Sequence, residues 1–110
     1  MRGWTDGTVI LIDDRLTQAQ RRVTVCHETL HIERGIIPAD ALEECRVERL
    51  VAERLITTEQ LIDALRWQRH PSIAGLADLL WVDRVTVERR LESLTPAEQA
   101  QIDAAIRDVA

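Results

Sequence analysis

At 110 residues the chain has room for one small domain and is too short for two independent cores. It is 45% hydrophobic and 30% charged, which excludes a disordered chain, and with no Phe, no Tyr and three Trp its core must be mostly aliphatic. A formal charge of −5 argues against non-specific nucleic-acid binding as the main activity, because phosphate contacts need a basic surface.

No stretch approaches the roughly 20 apolar residues of a membrane span, and the opening MRGWTDGT lacks the apolar run of a secretory signal. The expectation is therefore no membrane association and a cytoplasmic location. Cys26 and Cys45 read as thiols of a reducing compartment, not as a disulfide framework.

In chain order, the run Val9 to Ile12 behind Gly7 is short and β-branched, which predicts a strand or one arm of a hairpin. Thr17 and Gln20 form a capping-box pattern, and Ala19, Val23, Cys26 and Leu30 follow at helical spacing. With Gly35 as the stop, these residues predict a helix over Gln18–Arg34. After the tight connection IIPAD a second helix is expected from Ala39 or Asp40 to Ile56. Leu42, Val47, Leu50, Val51 and Leu55 would form its apolar face.

Thr57 and Gln60 repeat the capping box and open a third helix that must stop before His70-Pro71. Residues 73–94 read as helix, short turn, helix, with Asp83 capping the second. Thr95-Pro96-Ala97-Glu98 starts a last helix. The fold class is mostly α with a small N-terminal β element (α+β), as one domain over 1–110. Residues 8–56 supply the strand and two metal-site helices, and 57–110 form a helical C-terminal part.

The stretch VCHETLHIERG places His27 and His31 four residues apart inside the first helix, where both rings project from one face. Glu28, rotated by about 100° from His27, reaches the side where a water on the ion would lie. This is the HExxH arrangement, with two imidazoles on zinc and a glutamate taking a proton from the attacking water. A catalytic zinc also needs a third protein ligand. The second helix offers Glu43, Glu44 and Glu48. Glu44 as ligand, with Glu48 one turn behind it bonding a histidine ring, supplies an inner and an outer layer together, and Glu43 is the fallback. The alternative for these glutamates is a solvated face paired with Arg46, Arg49 and Arg54.

VTVCHETLHIERG followed by EECRVERLVAERLI resembles the ImmA/IrrE family of small metallopeptidases, which pairs HExxH with a downstream ExxAnxFAaxLL-like pattern. The resemblance puts Glu44 on the third zinc ligand, Val47 on the small residue and Glu48 where Asn or Asp commonly stands. TVILIDDRLTQAQRR and LADLLWVDRVTVERRLESL also look like family segments, so the similarity runs over about residues 8 to 95 and is closest to short actinobacterial or phage members. It implies a zincin-like minimal metallopeptidase domain holding Zn2+ through His27, His31 and Glu44, with Glu28 as general base. The protein substrate would be a regulatory protein such as a phage or mobile-element repressor. The chain departs from the pattern in its short interval from His31 to Glu44, in glutamate at 48, and in having no tyrosine to serve as electrophile beside the ion. His70 or an arginine is the candidate for that role.

Two readings compete. Residues 76–91 fit a helix-turn-helix, in which Arg84, Arg89 and Arg90 would contact DNA. Against this, Trp81 stands where the turn usually has glycine, and Asp78, Asp83, Glu88 and Glu92 offset the arginines. The other reading is a catalytically silent, zinc-stabilised interaction module. Cys26 is expected in the apolar stripe and Cys45 as a structural residue. The edge of Val9–Ile12 is a candidate for binding peptide as an added strand.

Overall fold

The computed structural model describes residues 2–35 and 41–107. In chain order it contains strands β1 (Gly3–Thr5) and β2 (Ile10–Ile12), then helices α1 (Gln18–Arg34), α2 (Ala41–Leu55), α3 (Thr58–Trp67), α4 (Ile73–Leu80), α5 (Arg84–Glu92) and α6 (Pro96–Arg107). The mostly helical architecture with a small N-terminal β element is the one expected.

The β element is an antiparallel hairpin with Trp4 opposite Leu11 and Thr5 opposite Ile10. Its turn is built by Asp6, whose Oδ1 accepts from the backbone N–H groups of Thr8 at 2.8 Å and Val9 at 3.0 Å. Gly7 supplies the positive φ of 97° that this turn requires. Val9 was expected to begin the strand, but its N–H goes to Asp6 and its carbonyl accepts from Thr5 Oγ1, so β2 begins at Ile10. β1 itself is too short, with Gly and Trp, to announce itself by alternation.

α1 has the expected bounds because both ends are set locally. Gln20 N–H donates to Thr17 Oγ1, Thr17 N–H donates to the Gln20 side chain, and Gly35 ends the helix at φ 88°. Val23, Cys26 and Leu30 face the core. Thr24 and Glu28 are also buried, on the side covered by the hairpin. Gly3 makes that contact close: a Cβ there would stand 2.6 Å from Thr24 Cγ2.

α2 packs on α1 along one side and on α5 along another. Its buried residues are Glu43, Val47, Val51 and Ala52, whereas Leu42, expected on the apolar face, is exposed. The start expected for this helix at Ala39 or Asp40 lies outside the described residues. α3 has the expected capping box at Thr57 and Gln60 and ends at Trp67, where Gln68 turns extended. α4 ends on Trp81, which adopts the left-handed conformation (φ 58°) in place of the usual glycine. Asp83 caps α5 and Thr95 with Glu98 caps α6, both as expected.

Ile56, Leu61, Val47, Val51 and Val87 are the largest fully buried side chains, so the core is aliphatic throughout. One charged group crosses it. Arg90 donates from Nε to the Ile56 carbonyl at 2.7 Å and from Nη2 to Glu98 Oε2 at 2.6 Å, tying α5 to the start of α3 and to α6. Among the described residues no helix is long and apolar enough to cross a membrane.

Candidate metal centre

The helical repeat of α1 sets His27 and His31 one turn apart, with their Nε2 atoms 3.1 Å from each other and their rings edge to face at 67°. The packing of α2 on α1 brings Glu44 to both. Its Oε2 lies 3.1 Å from His27 Nε2 and its Oε1 lies 3.1 Å from His31 Nε2. All three side chains are half-buried, and they are the group of metal-ligating type found among the described residues.

The donor set fits a zinc ion. Four ligands at the usual 2.0–2.1 Å in tetrahedral array stand about 3.3 Å from each other. The contacts here are within a few tenths of an ångström of that. Two imidazoles and one carboxylate are also a donor combination of catalytic zinc sites, in which the fourth position is left to water.

Glu28 sits beside this group, 8% exposed and under β1, where a Cβ on Gly3 would come 3.4 Å from its Cγ. Among the described residues its carboxylate makes no hydrogen bond or ion pair, and no sealed side-chain polar atom there lacks a partner. Its oxygens are therefore not fully sealed, although neither Glu28 nor His31 is among the residues lining the cleft beside His27.

The neighbouring glutamates have other roles than those expected of them. Glu43, the fallback ligand, is buried and bonded twice by Arg34, from Nε at 2.6 Å and from Nη2 at 3.0 Å. That pairing, helped by charge from Arg46, holds its carboxyl below the ordinary range. Glu48 does not bond a histidine ring. Its Oε2 accepts from Arg89 Nε at 2.9 Å, because α5 packs along this side of α2 and offers a stronger, permanently charged donor. His70 is exposed on the α3–α4 connection and is not among the residues lining the cleft by the histidines.

That cleft has a volume of about 630 Å³. Its floor is His27, Val23 and Thr24 of α1 with Glu44, Glu48 and Val51 of α2. One wall is β1 with Arg2 and Trp4, and the other is the start of α5 with Val85 and Arg89. The strand that borders it is thus β1, not the Val9–Ile12 edge expected. An ion pair of Arg2 with Asp83 bridges the two walls. Burial pushes the Asp83 carboxyl up, but hydrogen bonds from Thr86 and Arg2 outweigh it and hold the pKa below the ordinary value.

Cys26 is buried, and burial raises its thiol pKa, so it lies in the core as a thiol. Cys45 is exposed. Of the three arginines of the helix-turn-helix reading, Arg90 is buried in its network and Arg89 is paired with Glu48 and Glu92, while Arg84 is exposed.

Comparison with models of known protein families, with curated proteins and with solved structures finds no match. Arg2, Trp4 and Arg89 are among the cleft residues that the sequence does not assign to a metal site. No local pattern marks them, since their positions depend on contacts between elements distant in the chain.

Proposed function

We propose that the chain is a zinc-dependent metallo-endopeptidase with a minimal zincin-like domain, acting on a regulatory protein of the repressor type. The observation that carries the reading is Glu44, from a separate helix, presenting one oxygen to each HExxH histidine at 3.1 Å. A third ligand-type side chain brought to both histidines by a separate helix favours a metal site over a chance HExxH match. The resemblance to ImmA/IrrE peptidases supports the peptidase class and suggests the substrate type.

In this reading His27, His31 and Glu44 hold the ion. Zinc there supplies Lewis-acid polarisation of a carbonyl and a lowered pKa for a water. Glu28, whose carboxylate makes no hydrogen bond or ion pair among the described residues, would take a proton from a water as its oxygen attacks the carbonyl carbon. It then hands the proton to the departing amine nitrogen. The cleft between β1 and α5 holds the peptide, and its apolar floor at Val23 and Val51 excludes bulk water from one side.

The burial of Arg90 in its internal network and the formal charge of −5 support this reading over DNA binding. The Glu28 carboxylate, next to His27 on α1 and unpaired among the described residues, supports it over a silent zinc module. The test is incubation of the zinc-loaded protein with a mixed peptide pool and mass spectrometry of the products. Wild type should cut and Glu28→Gln should not, while both keep the metal. A zinc-loaded wild type that cuts nothing overturns the enzyme reading.

A further inference from the structure

We propose that Arg89 is the electrophile of this cleft. Its guanidinium donates to the scissile carbonyl oxygen as water attack moves the C=O electron pair onto that oxygen. The proposal rests on the peptidase reading above and supplies the donor that a chain without tyrosine otherwise lacks.

The placement comes from two helices. Arg89 projects from α5 into the cleft that also contains His27 and Glu44. Its Nε donates to Glu48 Oε2 at 2.9 Å, and Glu48 lies one turn along α2 from Glu44. The guanidinium is thereby anchored to α2 one turn along from the metal-site carboxylate, in the cleft that both line. A carbonyl oxygen at the metal site would lie in the cleft that Arg89 also lines.

The orientation is fixed in advance. Nη1 donates to the Glu92 carboxylate at 3.1 and 3.3 Å, so two carboxylates grip adjacent edges of the fork. Nη2 makes no hydrogen bond among the described residues, and the side chain is 37% exposed. A charged, planar donor is thus immobilised with one nitrogen left open. That is the preorganised state in which a donor gains most when negative charge develops in front of it. The other cationic residue of the cleft, Arg2, is engaged by Asp83 across the walls, and His70 lies on the α3–α4 connection.

The test compares zinc-loaded wild type with Arg89→Met and Arg89→Lys by calorimetric titration against two kinds of probe. One kind is a set of phosphinic dipeptides with aliphatic, acidic and basic side chains, whose tetrahedral phosphinate mimics the oxyanion. The other is acetohydroxamate, which chelates zinc by itself. Zinc content and circular dichroism of each variant are measured alongside. Arg89→Met should keep its zinc and its hydroxamate affinity and bind phosphinate roughly ten- to a hundredfold more weakly, with Arg89→Lys recovering part of the loss. Equal phosphinate affinity in wild type and Arg89→Met, or an equal loss for both probes, overturns the role of Arg89 and leaves the peptidase reading standing. A zinc-loaded wild type that binds hydroxamate but none of the phosphinates overturns both.

Discussion

Glu44 meets His27 and His31 symmetrically, one carboxylate oxygen to each Nε2 at 3.1 Å, although the three residues come from two helices. Without a metal the arrangement holds two imidazole nitrogens and a carboxylate in one small volume. A metal there would take a lone pair from each, and its binding would join α1 to α2. For a site in the native state alone, ligand at a hundredfold excess over Kd stabilises by about 2.7 kcal/mol, on the order of 10 °C in Tm for a domain of this size. Calorimetric melts with zinc and with EDTA should differ by about that much, and the difference should vanish in His31→Ala.

Glu43 and Glu44 are neighbours with opposite expected phenotypes. Glu43→Ala removes the partner that Arg34 bonds at 2.6 and 3.0 Å and leaves the ligands in place. Zinc content should stay near wild type while Tm falls. Loss of zinc in Glu43→Ala with retention in Glu44→Ala would reverse the assignment.

Acid should weaken the junction of α3, α5 and α6. The Glu98 carboxyl is held down to about 2, first by the Arg90 guanidinium and then by Thr58 and the Thr95 backbone, against an ordinary value of 4.5. A folded pKa below the unfolded one means the contribution is fully present above about 4.5 and is lost as pH falls toward 2. Denaturant midpoints between pH 6 and 2.5 should therefore drop more steeply for wild type than for Glu98→Gln.

Gly3 sets how closely β1 lies on α1. A Cβ there would meet Thr24 Cγ2 at 2.6 Å and the Leu11 carbonyl at 3.2 Å, so the hairpin must shift in Gly3→Val. Overpacking of this kind costs about 1–3 kcal/mol. Urea unfolding should show that loss. Zinc content should hold, since every ligand is on a helix.

Much of the fold was legible because its punctuation is local. The capping boxes at Thr17, Thr57 and Thr95 each involve residues three apart, and α1 was bounded correctly from them. The helical spacing of His27 and His31 is local too. What could not be read depends on contacts between distant segments. Nothing near Glu48 announces that Arg89 will take it, and nothing near Trp81 announces that a non-glycine will accept φ 58°. Glu44 was named as ligand from the sequence, but the pairing of its neighbour Glu43 with Arg34 was not legible there.

The central claim is a zinc site made by His27, His31 and Glu44, and elemental analysis of untagged protein tests it most directly. The account predicts about one zinc per chain in wild type and in Glu28→Gln, retained in Glu43→Ala and lost in Glu44→Ala. Wild-type protein that carries no zinc even after refolding with the metal would contradict it.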